Sequence, residues 1–185
     1  MLLDFDIRKT IASVAHLARQ RGGQLDMFLG LKTLYVADKD ALIQWGKTIT
    51  GDSPVSMDNG PVLSTTYNLF KGEGPDAEQA LWNESISERQ NHAVHLLRDV
   101  DLGILSEREV AALESARLQI ESMPPWRVAR WLHDNCPEWQ DPHGSSIPID
   151  PSTILRNAGK SEEEIQQIEE ANRVVQFAKY LLGPR

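Results

Sequence analysis

Residues 32–72 constrain this chain more than any other stretch, because they place a carboxylate where a helix should be apolar. Phe28, Leu31, Tyr35, Leu42 and Trp45 recur at helical spacing and predict a helix over residues 25–45. Asp38 falls on that same stripe. A buried carboxylate needs donors, since leaving it unpaired costs free energy. As an anchor, Asp38 would accept hydrogen bonds from the loop after Gly51. As part of an interface it would face a partner. General-base chemistry would need a second carboxylate or nucleophile beside it, and the sequence places none there.

Beyond the helix the chain is rich in turn formers. Gly51 and Pro54 limit residues 49–57 to a short irregular strand or extended loop. Asp58-Asn59-Gly60 is turn chemistry, and Pro61 suits the first position of a helix that would carry Val62, Thr66 and Leu69 on one face.

The rest reads as further helices. Ile7, Ile11, Val14 and Ala18 form a stripe over residues 6–19, ended by Gly22-Gly23. Ser87 is expected to cap a helix bearing Ala93, Leu96, Leu97 and Val100. Ser106 and Glu109 make a capping box before Val110, Leu113, Ala116 and Ile120. Pro124-Pro125 stops that helix, and a short one follows over residues 126–133 with Val128, Trp131 and Leu132 inward. Ile147 and Ile149 alternate, which suits a strand paired with the Val55 region. Pro151-Ser152 opens a helix to Ala158. A second capping box, Ser161 and Glu164, opens a last helix with Ile165, Ile168, Ala171, Val175, Ala178 and Leu182 as its stripe. The expected fold is mainly α, about six or seven helices with a small β-hairpin or short sheet, in one domain over residues 1–185.

Composition narrows function. The 185 residues carry a formal net charge of −8, which repels phosphate and argues against a nucleic-acid partner. The best basic pair for a DNA-reading helix is Arg127 with Arg130, too few for a recognition helix. No apolar run is long enough to cross a bilayer, and the first ten residues lack a signal-peptide pattern, so a cytoplasmic protein is expected. The single cysteine, Cys136, excludes an internal disulfide and a Cys-rich zinc site. On a helix, Glu88, His92 and His95 would share a face, but without the H-E-x-x-H order that makes such a motif specific. His133, Cys136 and His143 match no zinc signature either, and no cofactor or metal is expected. Five tryptophans are many for this length. Trp126 and Trp139 are the better surface candidates, since tryptophan is enriched at interface hot spots.

The segment K-T-L-Y-V-A-D-K-D-A-L-I-Q-W-G-K-T-I-T-G-D, continued by V-S-M-D-N-G-P-V-L-S-T-T-Y-N-L-F-K-G, resembles the Panacea domain, the SocA-like antitoxin or phage-associated GepA-like family. The resemblance rests on Lys32, Leu34, Tyr35, Gly51, Asp52, Gly60, Pro61, Val62 and Tyr67, followed by His133, Pro137 and Trp139. It spans about residues 26–159, with the helix over 161–182 compatible. Thr33 stands where glutamine is expected, and residues 135–149 form a longer insert.

The resemblance implies a non-enzymatic antitoxin that neutralises a toxin, encoded by a neighbouring gene, through direct protein contact. It leaves open a homo-oligomer or a heteromeric complex. A proteolytic adaptor that delivers the toxin to a Clp-type protease and a DNA-binding regulator are the alternatives. Tyr35, Asp38, Gly51, Gly60, Pro61 and His133 are expected to build the fold. Toxin contacts are expected from Asp52, Met57, Asp58, Trp126 and Trp139, with the loop over residues 139–146.

Overall fold

The computed structural model describes residues 3–182 and contains, among them, eight helices and two small sheets. The fold is mainly α with short strands. Helix α1 (Ile7–Arg19) is capped by Asp6, whose side chain accepts from the Arg8 and Lys9 amides. Strand β1 (Gln24–Asp26) leads into α2 (Met27–Trp45), the helix around which the rest is built. Its residues are buried without interruption from Gly30 to Asp38, so the middle of α2 is covered on every side, most extensively by α5 (Glu107–Glu121). That burial is why polar residues on α2 must find partners inside the protein. Gly46, with φ 73°, takes the left-handed conformation that ends the helix.

Strands β2 (Pro54–Ser56) and β3 (Val62–Leu63) form an antiparallel hairpin, with Val55 opposite Val62. Strand β5 (Ile147–Pro148) joins the other edge of β2, Ser56 opposite Ile147. This is the pairing expected from the Ile147/Ile149 alternation. Pro61 is part of the hairpin, not the first residue of a helix. Helix α3 (Ser64–Lys71) begins at Ser64 instead, because the carboxylate of Asp52 supplies the acceptors its first turn requires.

Two elements differ from the sequence expectation. Helix α4 (Asp76–Asn83) was not anticipated; it buries Trp82 edge-on against Phe70 with ring centroids 5.0 Å apart. The helix expected after Ser87 is absent. Strand β4 (Ala93–His95) lies there and pairs with β1, Leu25 opposite Val94. Its hairpin turn, Asn91-His92, has φ 50° and 64°, the left-handed pair of a tight two-residue turn. The Ser87 hydroxyl accepts from the His95 amide in place of capping a helix. Glu88, His92 and His95 therefore share no helical face.

Helix α6 (Pro125–Asn135) buries Val128 and Leu132, while Trp131, expected inside, is half-buried. Helices α7 (Pro151–Asn157) and α8 (Glu162–Leu182) complete the chain. Both capping boxes form as read from the sequence. Of the stripe expected along α8, Ile165 is buried and Ile168 half-buried, whereas Ala171, Val175 and Ala178 are exposed; the Leu182 side chain lies outside the described residues. No helix among the described residues is long and apolar enough to cross a membrane.

A candidate partner-binding site

Four polar side chains at spacings of three, three and one along α2 reach three separate loops. Asp38, 2% exposed, accepts from the Ile49 amide (2.9 Å), the Thr50 amide (3.1 Å) and the Thr50 hydroxyl. It is an anchor, as expected, but of residues 49–50 ahead of Gly51 and not of the loop after it. Burial pushes its carboxyl up to about 7 against the opposing pull of those donors. One turn earlier, the Tyr35 hydroxyl donates to Oε1 of buried Glu138, whose same oxygen lies 2.7 Å from the Lys39 ammonium. Burial holds the Tyr35 phenol well above its usual range. Cys136 lies in this neighbourhood and is pushed up to about 11 by burial, so its thiol stays protonated at neutral pH. The remaining oxygen of Glu138, Oε2, and Nε2 of His133 are buried without a hydrogen-bond partner.

Lys32 completes the ladder. It is 2% exposed and donates to the carbonyls of Gly60 (2.7 Å) and Pro61 (3.1 Å). Its ammonium lies 5.6 Å from the centroid of the Phe28 ring. Burial brings it down to about 7.

These contacts fix the turn over residues 57–61, and other elements hold it from the opposite side. The Trp139 indole donates to the Met57 carbonyl at 2.9 Å, and the Trp139 ring stacks on His133 at 3.8 Å between centroids. Asp58 accepts from the Gly144 amide at 2.9 Å. Gly60 takes φ 91°, and a side chain there would press within 3.2 Å of Leu132. The structure thus gathers Met57, Asp58, Gly60, Pro61, His133 and Trp139 into one cluster.

Other residues singled out in the sequence lie elsewhere. Asp52 is buried, 1% exposed, and both its oxygens are taken by the Ser53, Thr65 and Thr66 amides and the Thr66 hydroxyl. It caps α3 and presents no surface to a partner, which removes it from the contact set expected above. Gly51, φ 70°, lies against the backbone at Asp4, where a Cβ would come within 1.9 Å of the carbonyl oxygen. Trp126 is 81% exposed on the first turn of α6, and seven residues separate it from His133, about 10 Å along the helix axis. His143 is exposed beside Asp141, apart from His133.

Next to the pinned turn runs an open groove of about 560 Å³. Phe28, Leu31, Met57, Val62 and Tyr67 supply its apolar lining, and Lys32 lies at it as well. Asp26, Asp58, Asn59 and His92 contribute polar groups. The sequence missed this feature: it needs the β4 hairpin, which carries His92, folded against the start of α2, where the His92 carbonyl accepts from the Met27 amide at 2.8 Å.

The family model for the antitoxin SocA-like, Panacea domain matches residues 31–140. This chain belongs to the Panacea family. The matched region holds α2 from Leu31 onward, the β2–β3 hairpin, the β4 hairpin, α5 and α6. It thus contains the polar ladder of α2, the turn over residues 57–61 and Trp139. Helices α1, α7 and α8 and strand β5 lie outside the Panacea match. No curated protein and no solved structure matches the chain.

Proposed function

We propose that this Panacea protein is an antitoxin of the cytoplasm that neutralises a co-encoded protein toxin by direct contact, as a binding protein and not as an enzyme. Family membership supports the antitoxin reading. The observation that carries the site is the turn over residues 57–61, held from beneath by Lys32 and from the side by Trp139 and Gly144. A rigid turn beside an open groove offers a partner a surface that loses little entropy on binding. The net charge of −8 favours association with a basic toxin through long-range steering.

The test is co-expression with each neighbouring gene. The expected outcome is a neighbour that arrests growth alone, is harmless with this chain, and co-purifies with it in a stable complex. Rescue accompanied by disappearance of the toxin protein would instead indicate delivery to a protease. Absence of any toxic neighbour would end the antitoxin reading.

A further inference from the structure

A buried lysine is ordinarily matched by a carboxylate, because an ammonium taken out of water loses more hydration than neutral acceptors restore. Lys32 departs from this. Among the described residues it forms no ion pair; its two acceptors are the neutral carbonyls of Gly60 and Pro61. An ammonium has three N–H donors, so one is left over. Asp26 and Asp58 both lie at the same groove, yet each is engaged with a backbone amide. Asp26 accepts from the Leu29 amide at the start of α2, and Asp58 from the Gly144 amide. The other titratable groups around this ammonium are the protonated Cys136 thiol within the protein and Tyr67 and His92 at the groove. The buried thiol supplies no negative charge at neutral pH.

The groove therefore combines an apolar lining, a buried lysine with no carboxylate partner at its base and two acidic groups at its rim. We propose that it is the toxin-docking groove and that it receives an Asp or Glu side chain, set within an apolar segment of the toxin, which pairs with Lys32. The proposal rests on the antitoxin reading above and assigns it a site and a chemistry. Phe28, Leu31, Met57, Val62 and Tyr67 cover the apolar residues that flank the carboxylate. Asp26 and Asp58 meet basic residues next to it, in keeping with a toxin whose overall charge opposes that of this chain. The groove is open to solvent, so a segment can run through it with the carboxylate borne on a side chain. In a desolvated setting such a pair is strong only because the site is preformed; here the turn is already fixed before the partner arrives.

Pairing with a carboxylate returns Lys32 to its charged form, so complex formation takes up a proton at mildly alkaline pH. The probe is the purified toxin from the neighbouring gene. Calorimetric titration at pH 8 in buffers of different ionisation enthalpy should show uptake of about one proton per complex. Lys32→Met should abolish that uptake and raise Kd at least about tenfold. Tyr67→Glu, at a half-buried groove position, should also weaken binding by placing a competing carboxylate in the groove; it serves where Lys32→Met fails to fold. Neutralising the toxin's acids one at a time should find one whose loss is not additive with Lys32→Met. Extending the toxin at its C-terminus should leave affinity unchanged. Unchanged affinity in folded Lys32→Met or Tyr67→Glu overturns the groove assignment and leaves the antitoxin reading standing; buffer-independent heats for the wild type overturn the pairing with Lys32. Loss of binding on C-terminal extension overturns the side-chain assignment. If no neighbouring product binds the wild type, both readings fall together.

Discussion

Helix α2 and the outer half of α8 sort their residues in opposite ways. Helix α2 buries Lys32, Thr33 and Asp38, each at most 3% exposed. Helix α8 leaves Val174, Phe177, Tyr180 and Leu181 at 58%, 61%, 83% and 65% exposure. In α2 the buried Lys32, Tyr35 and Asp38 each hold a particular loop in place, so polarity inside the core becomes positional information. In α8 the inner stripe of Ile165 and Ile168 docks on the body, with Asn172 donating to the Gly46 carbonyl, while the apolar residues beyond it contribute little to holding the fold. The difference teaches that hydrophobic character alone does not locate what this structure depends on; buried polar contacts do.

Breaking the α2 side should have the largest effect. Asp38→Ala strands two buried amides and a hydroxyl, and is expected to cost about 3–5 kcal/mol in urea unfolding. Tyr35→Phe removes one hydrogen bond to Glu138 while keeping the ring, an expected loss of about 1–2 kcal/mol.

Lys32 gives the comparison a pH signature. Its folded value is lowered from 10.5 to about 7. The burial penalty is fully present below pH 7. Between pH 7 and 10.5 the unfolded chain binds more protons, so stability attributable to Lys32 rises with pH, at most about 1.4 kcal/mol per pH unit. Asp38, raised from 3.8 to about 7, acts oppositely in its own window: its contribution falls as pH rises from 3.8 to 7. Unfolding curves measured between pH 7 and 9 should therefore show a steeper rise in the wild type than in Lys32→Met.

The smallest effect belongs to α8. Phe177→Ser should change stability by no more than about 0.5 kcal/mol, because its ring is already largely in water. A loss of several kcal/mol there would mean that α8 is covered in solution, and the contrast with α2 would dissolve.

How much of this was legible depended on distance along the chain. The two capping boxes, the off-pattern Asp38 and the pairing of the Ile147 strand with the Val55 region were readable, since each shows as a pattern in the sequence. The β1–β4 pair was not. Leu25 and Val94 carry no mutual signal, and the apolar spacing after Ser87 imitates a helix while Asn91-His92 makes a turn. Asp52 looked like a surface acid because the hairpin that delivers it to Thr65 and Thr66 exists only once β2 and β3 pair. Glu138 was invisible as a partner, 103 residues from Tyr35. The groove was invisible for the same reason, being assembled from α2, the turn over residues 57–59, α3 and the β4 hairpin.

The most direct measurement is amide hydrogen exchange on this Panacea protein alone and in complex with the neighbouring gene product that the proposed function calls for. The expected result is new protection over residues 57–62 and at the Asn91-His92 turn, with residues 171–181 of α8 unchanged. Protection confined to α8, with the groove exchanging as it does in the free protein, would contradict the account.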